Sequence, residues 1–217
     1  MHSDNAQPLI ILGTYEFAEE VADLAAGCNG FEVVAFAENR AQERCSRPLL
    51  GKPVIWIDQL VQLAETHVAI CAIGSTRRPE FIEPVVRMGF RFATLVHPSA
   101  HVLGSTTIGE GSILSLGVLI SSHAVLGRHV IVNRGAMVGH HTRIGDYVTV
   151  APGANIAGRV TIGDSSYMGM GAVILNDLRI GSHSVVGAGS VVTEDVPDHV
   201  LVLGNPAVIA RRNIEGY

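Results

Sequence analysis

From Val96 to Val192 every sixth residue is Val, Ile, Leu or Met, 17 positions with no miss and no change of frame. Four residues after each comes a second regular position, from Ala100 to Val196, that holds only Ala, Val, Leu, Ser or Thr. A period of six matches neither the 3.6-residue helix nor the alternation of a strand. It predicts a solenoid of short flat faces joined by tight corners, with the aliphatic residue of each hexad pointing inward. Three faces make a coil, so the run spans about five coils. Glycines follow many of the aliphatic positions (Gly109, Gly127, Gly139, Gly145, Gly163, Gly169, Gly181 and Gly187), where they leave room for close backbone turns.

Residues 8–95 carry a different pattern. Leu9–Leu12 is a short apolar run ending in Gly13, Phe17–Ala26 has helical spacing, and Phe31–Ala37 has strand composition. Asp58 caps a short helix through Ala64. Val68–Ile73 is apolar and ends in Gly74, Pro79–Met88 reads as a helix with proline at its start, and Arg91–Leu95 as a strand. Strand alternating with helix predicts a small α/β unit with a short parallel sheet. Its ligands would lie beyond the carboxyl ends of the strands, at Gly13-Thr14-Tyr15, Glu38-Asn39 and Gly74-Ser75-Thr76. The expected division is therefore a flexible stretch over 1–7, a Rossmann-like substrate-binding domain over 8–95, a β-helix over 96–196 and a cap over 197–217.

Composition narrows the function. With 15 Lys+Arg against 20 Asp+Glu the net charge is −5, and neither half is basic, which argues against a nucleic-acid partner. The longest uncharged stretch, Gly111–Gly127, is broken by glycines, serines and a histidine, so no membrane partner is expected. Residues 1–7 lack the basic and apolar blocks of a secretory signal. Cys28, Cys45 and Cys71 are odd in number and form no C-x-x-C pair, so they are expected to be free thiols in a reducing, cytoplasmic setting.

The repeats resemble those of the hexapeptide-repeat acyltransferases, which implies a left-handed parallel β-helix. With the α/β unit in front, nearly the whole chain, from Leu9 to about Arg212, is similar to the sialic-acid O-acetyltransferase-like family. That family includes bacterial enzymes that N-acetylate nucleotide-linked amino sugars. The resemblance implies that the front domain holds a nucleotide sugar and that a β-helix homotrimer binds acetyl-CoA between subunits. It further implies an acetyl-CoA-dependent N-acetyltransferase of surface glycan synthesis, with sugar O-acetylation as the alternative.

Acyl transfer from a thioester needs a base, donors for the tetrahedral oxyanion and a groove for the pantetheine arm. His140 and His141 take the third and fourth places of their hexad and so point outward. The family motif sets an asparagine seven residues ahead of the catalytic histidine, here Asn133 and His140. His140 is then the base, supported by Asn133 and His141. By position the resemblance puts Thr149, Gly158, Met170 and Ala188 in the acetyl-CoA groove, with Gly204-Asn205-Pro206-Ala207 as the family's terminal motif. It gives Gly13, Thr14, Tyr15, Glu38, Asn39, Gly74 and Ser75 to the nucleotide sugar. Two departures stand out. The loop Gly13-Thr14-Tyr15-Glu16-Phe17 has a single glycine where the family is glycine-rich, and His141 replaces the usual acidic residue. Zinc enzymes like carbonic anhydrase share the repeat, but the histidine steps here (His97 to His101, His123 to His129) differ from their ligand spacing, so no metal is expected. A zinc enzyme like carbonic anhydrase and a non-catalytic sugar-binding scaffold are the remaining, lesser alternatives.

Overall fold

The structure is a computed structural model that describes residues 6–217. Most of the stretch expected to be flexible, residues 1–5, lies outside the described residues, and the first strand already opens at Gln7. The chain divides into two compact units, one of residues up to Gly74 plus Arg78–His97, the other of Ser75–Arg77 plus Pro98–Tyr217.

The first unit holds β1 (Gln7–Leu12), α1 (Glu16–Gly27), β2 (Phe31–Glu38), β3 (Val54–Trp56), β4 (Val68–Cys71), α2 (Pro79–Arg87) and β5 (Arg91–Phe92). The five strands form one parallel sheet in the order β3-β2-β1-β4-β5. Leu9 to Leu12 are fully buried, which is why this strand reads as a solid apolar run rather than an alternating one. The strand order reverses at β1, so the loops after β1, β2 and β4 open a crevice at one end of the sheet. Two expectations change. The segment after Trp56 is a 3-10 helix, Ile57–Leu63, and β3 was not foreseen because its three residues, following Pro53, carry too short a pattern.

The second unit is a parallel β-helix. Strands of two residues recur every six, and those up to Val173–Ile174 pair in parallel with the strand 18 residues on, as Met137–Val138 does with Asn155–Ile156. Three sheets result. One contains Leu119–Ile120, Met137–Val138 and Asn155–Ile156. A second contains Val125–Leu126, Arg143–Ile144 and Thr161–Ile162. The third contains Ile131–Val132, Thr149–Val150 and Tyr167–Met168, and ends in the antiparallel hairpin of Val200–Gly204 and Ala207–Arg212. Val138, Ile144, Val150, Ile156, Ile162, Met168 and their equivalents fill the interior column. The second regular position also faces in. Where it is a hydroxyl, the side chain bonds a backbone carbonyl of the next coil, as Thr142 does to Ala157 (3.0 Å) and Ser166 to Gly181 (2.6 Å). Buried hydroxyls need such partners, and this explains why Ser and Thr share the position with Ala and Val.

Close stacking of the coils sets the glycines. A Cβ on Gly139 would lie 2.4 Å from the Ala157 carbonyl carbon, so no larger residue fits there. Asp146 and Asp164 tie successive coils by accepting the backbone N–H of the residue 18 before, Arg128 (2.7 Å) and Asp146 (2.8 Å). No helix among the described residues is long and apolar enough to cross a membrane.

Candidate active site

At the corner after Met137–Val138 the backbone of His141 is left-handed, with φ 59°. The same corner on other coils holds His123, Arg159 and Asp177, all left-handed too. Non-glycine residues in this region cost about 1–3 kcal/mol each and persist where surrounding structure fixes them. Here the flanking strands, paired coil upon coil, supply that support. His140, His141 and His123 come together. The Nδ1 atoms of His140 and His141 are 3.1 Å apart, with the rings edge-on, and the His123 ring centre lies 4.8 Å from that of His141. Next along the column, Arg159 donates to Asp177 through Nη2 at 2.7 Å.

Gly158 lies one coil beyond His140 and forms the floor under its ring. A Cβ there would fall 2.6 Å from His140 Nε2 and 2.7 Å from Cε1. Among the described residues neither His140 Nε2 nor the Gly158 N–H has a hydrogen-bond partner. A free imidazole nitrogen beside a free backbone donor is what proton removal and oxyanion stabilisation require. Partial desolvation pushes His141 below its ordinary value, and the charges of His123, His140 and Arg159 push it the same way. The hydrogen bond from Arg159 holds Asp177 below the usual carboxylate range.

Asn133 is not brought to this cluster. It stands beside the corner at Gly135, at the opposite end of the Met137–Val138 face, where its Oδ1 accepts the Arg134 N–H (2.8 Å).

Met170 and Ala188 line a mostly apolar groove of about 450 Å³, together with Tyr167, Gly169, Val185, Gly187, Leu201, Arg211, Ile214 and Tyr217. Tyr167 and Tyr217 stack with ring centres 4.1 Å apart. Thr149 and Gly158, expected in the same groove, are elsewhere. Thr149 is buried within its sheet, and Gly158 belongs to the His140 corner. Position in the hexad repeats on three faces, so it does not distinguish one face from the next. Tyr217 and Arg211 were missed because they follow the last repeat, where the period gives no information.

In the first unit Gly13, Thr14, Tyr15, Glu38 and Asn39 gather at the crevice. Gly13 has φ 125°, and a Cβ there would sit 3.1 Å from the Ala72 carbonyl, so the glycine serves a tight approach between the ends of β1 and β4. The Thr14 hydroxyl donates to Glu38 Oε2, and Glu38 Oε1 accepts the N–H groups of Asn39 (2.9 Å) and Arg40 (2.8 Å). Burial pushes the Glu38 carboxyl up, but these bonds together outweigh it and hold the group below its ordinary value. Glu38 thus spends one oxygen on Thr14, after β1, and the other on its own loop. Arg44, unremarked in the sequence, donates to Thr14 Oγ1 (2.9 Å) and stacks over the Tyr15 ring (4.1 Å). With Thr14, Ser46, Arg47 and Leu49 it lines a pocket of about 450 Å³. Gly74 ends the first segment of the first unit, whereas Ser75 belongs to the second unit, where its hydroxyl donates to the Tyr217 carbonyl. Among the described residues no group of three or more His, Cys, Asp or Glu side chains is arranged to hold a metal ion.

The bacterial transferase hexapeptide (six repeats) family matches residues 123–158 and 159–194. Comparison with curated proteins by sequence returns no match. Among solved structures, a histidine-to-asparagine variant of perosamine N-acetyltransferase from Caulobacter crescentus, in complex with CoA and GDP-perosamine, is 31% identical, with a TM-score of 0.87 over 94% of this chain and 97% of that one. The acetyltransferase domain of PglB from Neisseria gonorrhoeae is 32% identical, with a TM-score of 0.85 over 94% of this chain and 99% of that one. WeeI from Acinetobacter baumannii is 30% identical, with a TM-score of 0.84 over 94% of this chain and all (100%) of that one. These likenesses span both units, and they make the β-helix left-handed. With an α/β unit ahead of unbroken hexads and an outward histidine on a glycine floor, the chain belongs to the sialic-acid O-acetyltransferase-like family of hexapeptide-repeat acetyltransferases.

Proposed function

We propose that the protein transfers an acetyl group from acetyl-CoA to the amino group of a nucleotide-linked deoxyamino sugar, in the synthesis of a surface glycan. The observation that carries this reading is His140, whose free Nε2 lies over Gly158 beside an unpartnered backbone N–H, in a chain so similar to an enzyme crystallised with CoA and GDP-perosamine. His140 Nε2 takes the proton of the attacking amine. The sugar nitrogen bonds to the thioester carbonyl carbon, and the Gly158 N–H suits the oxyanion that forms. As the intermediate collapses, the C–S bond breaks and the protonated His140 returns its proton to the leaving sulfur.

The groove of Met170 and Ala188 is proposed for the pantetheine arm, because it is apolar and lies on later coils of the same solenoid. The crevice of Thr14 and Arg44 is proposed for the nucleotide, with arginine charge replacing a glycine-rich loop. The active form is proposed to be a homotrimer. Leu119 and Met137 are large apolar side chains left exposed on one flat face, 43% and 37% respectively, and they suit a seam between copies. The three unpaired thiols fit a reducing cytoplasm.

The test is a panel of nucleotide-linked amino sugars, with GDP-perosamine first, incubated with acetyl-CoA while free thiol is followed. One acceptor should release CoA and gain one acetyl group by mass. Release of thiol without an acetylated sugar, or none across the panel, refutes the reading.

A further inference from the structure

The Nδ1 atoms of His140 and His141 face each other at 3.1 Å, a distance that requires one proton between them. Two arrangements satisfy it. Either His140 donates and keeps a bare Nε2, or His141 donates and His140 carries its proton on Nε2. An acidic neighbour can only accept, so it would impose the first arrangement. A histidine can do both, and it can also pass a proton onward.

We propose that His140 and His141 form a two-imidazole relay in which His141 accepts from the His140 Nδ1–H and carries the substrate's surplus proton to solvent. The inference rests on the reading of His140 as the base. In the His140-donating arrangement His140 Nε2 is bare over Gly158, where a proton would find no acceptor among the described residues. The Nε2–H of the exposed His141 then has water as its partner. An amino sugar arrives largely as an ammonium ion, which must lose a proton before its nitrogen can attack. In the relay step the substrate N–H bond breaks and a His140 Nε2–H bond forms. The His140 Nδ1–H breaks as a His141 Nδ1–H forms, and the His141 Nε2–H passes to water. Both rings end neutral with their tautomers exchanged. The nitrogen's second proton leaves to water once it has attacked. As the C–S bond breaks, the His140 Nε2–H passes to the sulfur while the His141 Nδ1–H returns to His140 Nδ1 and water reprotonates His141 Nε2, which resets the pair.

The groups facing His141 keep a proton from resting on it. Desolvation and the charges of His123, His140 and Arg159 hold the His141 imidazole below its ordinary value, and the Asp177 carboxylate beside them is bound to Arg159. A proton on His141 is therefore driven outward rather than stored.

Two measurements test the proposal. Histidine-labelled protein is examined by two-bond nitrogen–proton correlation at neutral to mildly alkaline pH, with no substrate present. His140 should show Nδ1–H with a bare Nε2, and His141→Phe should shift it to the Nε2–H form. A wild-type His140 protonated on Nε2, or a tautomer unmoved by His141→Phe, overturns the inference. In the second, turnover of GDP-perosamine and acetyl-CoA is followed in His141→Gln, which accepts the hydrogen bond but cannot relay. The kcat should fall about tenfold or more with KM little changed, and added imidazole should restore it in the variant alone. Loss of activity without imidazole rescue refutes the relay. If the tautomer is as stated but His140→Ala still turns over, the base assignment fails and the hydrogen-bond assignment stands.

Discussion

Gly158 is the residue on which the candidate site depends most directly. The atom that a new Cβ would strike is the far end of a mobile imidazole. Gly158→Ala is therefore expected to leave folding nearly intact and swing His140 away. Its melting temperature should stay within a few degrees of wild type, while kcat drops by about the 10² or more that general-base catalysis is worth. A variant that keeps full activity would show that the ring position is not needed. His140→Ala should lose roughly 10² to 10⁴ in kcat, with the KM for acetyl-CoA unchanged, since the Met170 groove is untouched. A rise in that KM with kcat preserved would move His140 from the chemistry to cofactor binding. At this scale the sequence was informative about His140, because hexad position alone predicts whether a side chain points out. It was uninformative about Glu38, which looks like an exposed loop acid and is 3% exposed. Burial of this polar side chain depends on the segments after β1 and β2 meeting, and no local pattern encodes that.

Among the elements, the ends of β1 and β2 are joined through Glu38, and this junction should depend on pH. The folded carboxyl is held below its unfolded value. Its stabilisation is thus present above the unfolded value and lost as pH falls through the folded one. Glu38→Gln should cost the first unit about 2 kcal/mol near neutral pH, the order of a buried charge-assisted hydrogen-bond set. The difference should shrink from neutral pH toward an acidic pH below the ordinary carboxylate range, as the folded value is passed. Equal destabilisation at both pH values would assign the effect to packing instead. The elements themselves were legible in proportion to their length and period. The strands of the β-helix, each of two residues, are visible only because every one is repeated at the same step. In the first unit β3 has no repeat to reveal it and went unread, and the Ile57–Leu63 turn lacks a full helical period.

For the molecule as a whole, Asn133 and His140 pose a geometrical problem. They sit at opposite ends of one face of the solenoid, so a site using both from one copy is out of reach. In the proposed trimer the asparagine of one subunit meets the histidine of the next. Mixing His140→Ala with Asn133→Ala protein, after dissociation and reassembly, should then restore part of the activity that each lacks alone. Sites with both defects and sites with neither would form side by side. Mixtures that stay at the level of the separate variants would place the two residues in one subunit's chemistry or remove Asn133 from it.

The stacking of strands 18 residues apart has a consequence for size selection. Parallel neighbours in a sheet are spaced about 4.8 Å, so each added coil lengthens the solenoid by that amount. His140 and the groove of Met170 and Ala188 are separated by roughly two to three coils, a distance on the order of 8–13 Å along the axis. The solenoid thus acts as a ruler graduated in turns. With the groove in its proposed role, duplicating or removing one turn between them should preserve the inward ladder and change only how far the thioester must reach, so donor length would be set by counting turns rather than by reshaping a pocket.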